Sequence, residues 1–265
     1  MHLAAKVDVT GPWAEYAAAN IGGTRSVADA CRAEGVGRLV HVSSPSVAHA
    51  GAALVGVGAG PADPARARGR YSRSKAVAEL DALAADSPSL AVLAVRPHLV
   101  WGPGDTQLVG RIVERARAGR LPVIGSGAAL IDTTYVDNAA AALVAAVDAC
   151  GPVHGEALVV SNGEPRPVAE VLDRLCRAAG VPGPRGRVPF AAAALAGALV
   201  DGVWAVTGRR SVPPLTRFLA EQLATAHWFD QRRTRAALGW RPQVGLDEGF
   251  ARLGAWYAGR APAPA

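Results

Sequence analysis

The chain has 265 residues, half of them apolar and 19% charged, which excludes a disordered protein and leaves room for one large domain with a sizeable core. The formal charge is +6, yet only Lys6 and Lys75 are lysine and the arginines are spread along the sequence, which argues against a nucleic-acid-binding stripe. Three scattered cysteines give no disulfide framework and fit a reducing cytosol, and six histidines without paired spacing give no metal site.

In chain order, MHLAAKV reads as the end of a buried strand running into a loop, with no signal-peptide pattern. A helical pattern follows over 13–34, with Gly35 as its stop. The run RLVHVSS (38–44) suits a strand buried on both faces, as do LAVLAVRP (90–97) and ALVVSN (157–162). Helical patterns over 72–86, 107–119, 136–149 and 167–179 lie between or after them, each ended by Pro or Gly. Such alternation predicts βαβ units and a parallel sheet. The last 75 residues change to mostly helical patterns with Pro and Gly breaks and no convincing sheet, which predicts a smaller, mainly helical lobe. Within it, FAAAALAGALVDGVWAV (190–206) falls short of a spanning helix and carries Asp201. A buried or membrane-touching helix is the expectation.

Four places carry chemistry. Tyr71 and Lys75 in RYSRSKAVAEL stand one helical turn apart. An ammonium near a phenol favours the phenolate, and a phenol so tuned exchanges a proton during hydride transfer. The same spacing arises in ordinary helices. What sets this one apart is a lysine in a chain that has only one other, Lys6, and writes the rest of its basic residues as arginine. Ser43 and Ser44 close the first full strand, where open parallel sheets bind ligands, although serines also close plain turns. Asn20 in ANIGGT is locally unfavourable inside a helix, so it marks either a kink whose amide holds a water or a simple defect. RPHLVWGPGD (96–105) reads as a rigid exit from the next strand, either a plain loop or a wall beside a flat ring.

In combination these residues resemble the extended branch of the short-chain dehydrogenase/reductase superfamily. The later segments RPHLVWGPGDTQLVGRIVERARAGRLPVIGSGAALIDTTYVDNAAAALVAA, SNGEPRPVAEVLDRL and FDQRRTRAALGWRPQVGLDEGFARLGAWY resemble the 3β-hydroxysteroid dehydrogenase/isomerase family. The resemblance covers nearly the whole chain. It implies a Rossmann-type α/β fold, with residues 1–105 and 135–165 in the dinucleotide-binding part and 106–134 with 166–265 in the substrate lobe. It implies Tyr71 as general acid/base, Lys75 as the group that tunes it and holds the nicotinamide ribose, Ser44 on the substrate oxygen and Asn20 in a proton relay. Leu3, Ala4, Ala5, Ser43 and Pro97 would lie by the cofactor, NAD or NADP, together with Tyr71 and Lys75. Ser44, His98 and Val100 would meet the substrate. Nucleotide-sugar epimerases usually carry an Arg for the phosphates where this chain has Ile131, followed by Asp132-Thr133-Thr134-Tyr135. Isoleucine cannot pair with a diphosphate, so an apolar sterol or alkyl ketone is expected, and a nucleotide-sugar epimerase or dehydratase is the rival. The resemblance also implies a homodimer through the helices at 13–34 and 72–86. The expected setting is cytoplasmic, with membrane association through 190–206.

A dinucleotide fold needs a glycine-rich turn between its first strand and helix. GVGAG (56–60), GVGRLV (35–40) and GSGAAL (125–130) all stand in the wrong context. The family places that turn ahead of HLAA (2–5), so the first strands, on the order of 60 residues at about 30 per βαβ unit, are expected to be absent. That predicts weak or no dinucleotide binding by these 265 residues. It also keeps open a non-catalytic remnant or binding module.

Overall fold

Three apolar runs build the central sheet in the computed structural model, which describes residues 1–7, 10–49, 51–207, 211 and 213–259. Along the chain, α1 (Trp13–Tyr16) passes through a π-helical turn (Ala17–Gly22) into α2 (Gly23–Ala33). Then come β1 (Arg38–Val42), a 3-10 turn (Pro45–Ala48), β2 (Leu54–Val57), α3 (Gly69–Ala84), β3 (Ala91–Pro97) and β4 (Val100–Trp101). The middle of the chain supplies α4 (Val109–Arg117), β5 (Val123–Ile124), β6 (Leu130–Ile131), β7 (Thr134–Tyr135), α5 (Val136–Ala149) and β8 (Glu156–Val160). It ends with β9 (Arg166–Pro167), α6 (Val168–Ala178), β10 (Arg187–Val188), α7 (Phe190–Thr207), α8 (Arg217–Ala224), β11 (His227–Phe229), α9 (Arg232–Leu238) and α10 (Leu246–Ala258).

The main sheet is parallel in the order β1-β3-β8, as the three β-rich runs predict. Val92, Leu93, Ala94 and Val95 of β3 are all fully buried, because helices cover both faces of a parallel strand. Beyond β1, His2 makes a single parallel bridge to His41, with His2 N donating to Val40 O and Val42 N donating to His2 O. The MHLAAKV segment therefore lies beside the sheet, as a bridge rather than a strand.

The C-terminal lobe is mainly helical, as expected, but it adds one short strand to a sheet that the sequence does not announce. β11 pairs in parallel with both β2 and β6, and β6 pairs antiparallel with β9, giving a second, four-stranded sheet. HWF is only three residues long, and its partner β2 lies more than 160 residues earlier, so no local pattern marks it. The helix expected over 13–34 is continuous but contains the π turn at Ala17–Gly22, where Asn20 and Gly22 fall, with Gly23 opening α2. Single π turns inside α-helices are frequent at functional sites. The helix at 190–207 lies on the surface, with Leu195, Leu199 and Val206 more than 60% exposed.

One buried ion pair ties the sheet to the helix behind it. Arg96, at the end of β3, donates from Nη2 and Nε to Glu79 of α3 at 2.5 and 2.8 Å, and both residues are buried. Arg96 Nη1 also donates to the carbonyls of Ala59 and Gly60. The guanidinium thus satisfies a carboxylate and a loop backbone at once, which is what a buried charge requires.

Candidate active site

Helix α3 presents Tyr71 and Lys75 to the C-terminal end of β1, Lys75 at Val42 and Tyr71 at Ser44. Lys75 is buried, and its Nζ donates to the carbonyl of Val42 at 2.6 Å. Burial pulls its ammonium down to about 8, against a smaller upward pull from Glu79. Burial pushes the Tyr71 phenol up, while its interaction with the Ser44 hydroxyl pulls it down. The two residues share one turn of α3. The ammonium is held by a backbone carbonyl, and the phenol stays protonated at neutral pH.

Ser44 caps the 3-10 turn, accepting from Ser46 N at 3.3 Å and sharing a 2.9 Å hydrogen bond with Ser46 Oγ. Ser43 is turned the other way along the strand. It is buried, and its Oγ has no hydrogen-bond partner among the described residues. Asn20 is 1% exposed and fully engaged. Its Oδ1 accepts from Lys6 N at 2.7 Å, and its Nδ2 donates to Lys6 O and to Ser74 Oγ at 3.1 and 2.8 Å. The π turn of the helix carries this side chain, which clamps the N-terminal segment to the helix bearing Tyr71.

Above Tyr71 and Ser44 opens a cavity of about 370 Å³ with mainly apolar walls. Leu54, Leu99, Trp101, Ile131, Leu172 and Leu175 are among the side chains that line it. The volume falls in the ~300–1,000 Å³ range of small-molecule sites. Trp101 is held in place by stacking on Phe250 at 4.6 Å and by donating from Nε1 to Thr133 Oγ1 at 3.0 Å. His98 lines the cavity, but Val100 is not among its lining residues and is 37% exposed. The cause is local. Leu99 has φ +41°, a left-handed conformation that bulky residues rarely adopt, and it puts Leu99 and Trp101 on the wall instead.

The cavity also contains groups that sequence reading passed over. His49 and His227 line it, from the end of the 3-10 turn and from β11. Arg111 and Arg115 enter it from α4, and burial lowers the Arg115 pKa. None of these residues belongs to a spaced motif.

The residues present fit the nicotinamide–ribose end of a dinucleotide. Lys75 offers a buried ammonium and Ser43 an unpartnered hydroxyl at the end of β1, on the side where open parallel sheets bind nucleotides. Ala5 is half-buried and Leu3 and Ala4 are exposed beside this strand end, and Pro97 ends β3 in register with Val160. The sequence holds no glycine-rich turn for the pyrophosphate, so the fit concerns this end alone.

Comparison with known proteins identifies the family. Residues 1–189 match the model of the 3-beta hydroxysteroid dehydrogenase/isomerase family. A 2-alkyl-3-oxoalkanoate reductase of Stenotrophomonas maltophilia (strain K279a) is 45% identical over 257 residues, covering 95% of this chain and 78% of that protein. A decarboxylating sterol-4-alpha-carboxylate 3-dehydrogenase of Mus musculus is 31% identical over 244 residues, covering 88% of this chain and 67% of that protein. The solved structure of MoeE5 in complex with UDP-glucuronic acid and NAD superposes with a TM-score of 0.67 at 26% identity, covering 97% of this chain and 78% of that one. With a Tyr-x-x-x-Lys helix, a serine-ended strand and a Rossmann-type sheet in place, the chain belongs to the 3-beta hydroxysteroid dehydrogenase/isomerase family of extended short-chain, NAD(P)-dependent oxidoreductases.

Proposed function

We propose that the protein reduces the ketone of an alkyl-chain 3-oxo acid to the secondary alcohol, with Tyr71 as the proton donor. The observation that carries this reading is the apolar cavity that ends at Tyr71 and Ser44. Ser44 Oγ donates to the ketone oxygen and holds it beside the phenol. Tyr71 Oη then gives its proton to that oxygen as it becomes an alkoxide, a step worth ~10²–10⁴-fold in rate. A phenol kept protonated by burial is the right form for an acid in the reducing direction. Lys75 carries positive charge beside the reacting groups, and Asn20 fixes the helix on which both stand. The nicotinamide cofactor, when bound, supplies the hydride. The similarity to 2-alkyl-3-oxoalkanoate reductase at 45% identity supports the 3-oxo acid over a sterol. Turnover of a 2-alkyl-3-oxo acid series against a 3-keto sterol tests it, and a preference for the sterol would overturn the choice of substrate.

We also propose that α7 rests on a membrane surface. Leu195, Leu199 and Val203 recur one turn apart and are exposed, in a helix whose neighbour α8 supplies Phe218 and Leu219 to the cavity wall. No described helix is long and apolar enough to cross a membrane. Co-sedimentation with phospholipid vesicles, lost on Leu195→Glu with Leu199→Glu, is the test.

A further inference from the structure

The cavity walls are mainly apolar, and among the polar side chains that line them are three buried histidines: His49, His98 and His227. Their hydrogen bonds fix where the protons are. Gln222 O can only accept, so the 2.8 Å bond to His227 Nε2 places a proton on that nitrogen. Burial keeps His227 neutral, so its Nδ1 is a lone pair. The 2.8 Å contact between His227 Nδ1 and His98 Nε2 therefore has His98 as the donor. Neutral His98 is left with a lone pair on Nδ1, and no described residue donates to it.

His49 has the opposite tautomer. Gly51 N donates to its Nδ1 at 3.3 Å, so the proton sits on Nε2, which is buried without a partner. An unsatisfied buried N–H is destabilising by ~1–3 kcal/mol, and a ligand that accepts from it recovers this.

Position brings this pair to the reacting end. Val42 is opposite Val95, so Ser44 and His98 both lie just past the ends of adjacent strands, which run ~4.8 Å apart. His49 closes the same short turn that Ser44 opens. The groups around them are known. His98 is faced by His227 and Phe229 of β11, and His49 by Phe218, with Glu221 and Arg68 as its nearest charges. Arg111 and Arg115 enter from α4, which packs on α6, whereas Tyr71 and Ser44 come from α3 and the 3-10 turn.

We infer that His98 and His49 form a receptor for a carboxyl group next to the reacting ketone, bound together with one proton. One carboxyl oxygen accepts from His49 Nε2. The other shares the proton with His98 Nδ1. A bare carboxylate would face a lone pair in an apolar wall, which is repulsive. One added proton converts that contact into a charge-assisted hydrogen bond. The inference rests on the proposed function and deepens it, since it explains how a 3-oxo acid is told from a plain ketone of the same length.

The test is titration calorimetry of the 265-residue chain with a stable long-chain 2-alkyl-3-hydroxy acid and with the ketone of equal length that lacks the carboxyl group. Runs in two buffers of different ionisation enthalpy give the protons taken up. The account expects the acid to bind about tenfold or more tightly than the ketone near pH 6.5, a difference of ~1.4 kcal/mol. It expects uptake near one proton per acid bound, and a preference ratio that falls towards one in His98→Phe. Nitrogen-15 spectra of the free protein should show His98 and His49 as Nε2–H tautomers. Acid binding without proton uptake, or equal binding of acid and ketone, overturns the inference and leaves the cavity as an alkyl site. Binding of neither ligand overturns the proposed function and the inference together.

Discussion

Asn20 donates a 2.8 Å hydrogen bond to Ser74 Oγ, and Ser74 Oγ in turn donates to the backbone carbonyl of Tyr71. A residue in the first helix thus fixes the turn of α3 that bears the phenol, across 54 positions of sequence. Asn20 also takes both backbone groups of Lys6. It acts here as a positioning residue whose polar atoms are all used.

Asn20→Ala removes three hydrogen bonds, two to the half-buried Lys6 backbone and one to the buried Ser74 hydroxyl, which keeps only its bond to the Tyr71 carbonyl. The expected loss is about 2–3 kcal/mol of stability, since each unsatisfied buried group is destabilising by ~1–3 kcal/mol. Urea denaturation measures it. Asn20→Asp should not restore stability, because a carboxylate cannot donate to Ser74 Oγ or to Lys6 O.

Glu79→Ala should be more damaging. It leaves the Arg96 guanidinium buried without its carboxylate, and breaking such a pair destabilises by ~3–5 kcal/mol. The double variant Glu79→Leu with Arg96→Met should recover most of that loss in denaturation, because it removes both charges together. Single and double variants of equal stability would contradict the pairing.

Stability should rise with pH on the alkaline side. Lys75 has its pKa pulled from 10.5 to about 8 by burial. Between those values the unfolded chain holds a proton that the folded one has released, so raising the pH favours the folded state. The full effect is on the order of 3 kcal/mol at about 1.4 kcal/mol per pKa unit. Denaturation midpoints between pH 8 and 10 should climb in the wild type, and Lys75→Met should flatten that climb.

The sheet and the Tyr–Lys helix were legible because their signals are local. Buried parallel strands read as unbroken β-rich runs, and α3 holds Tyr71 and Lys75 at a spacing that any helix makes adjacent. Asn20 followed by two glycines marked a helix irregularity, and the chain makes a π turn there. The second sheet was not legible, because β2 and β11 are short and pair across most of the sequence. Nor was the Lys75–Val42 contact, which uses a carbonyl that no side-chain pattern reveals. His49 and His227 gave no signal, since a lone histidine becomes part of a site only when distant strands bring it to a cavity. The outward turn of Val100 depends on the left-handed Leu99, which a leucine in a loop does not announce.

The most direct measurement is turnover of a long-chain 2-alkyl-3-hydroxy acid with NAD or NADP by the wild type and by Tyr71→Phe, with UDP-glucose as the comparison substrate. The account predicts oxidation of the hydroxy acid by the wild type only at high dinucleotide concentration, since weak binding is expected without a glycine-rich turn, and a ~10²–10⁴-fold loss in Tyr71→Phe at unchanged stability. It predicts no reaction with the nucleotide sugar. Full turnover by Tyr71→Phe, or a preference for UDP-glucose, would contradict it.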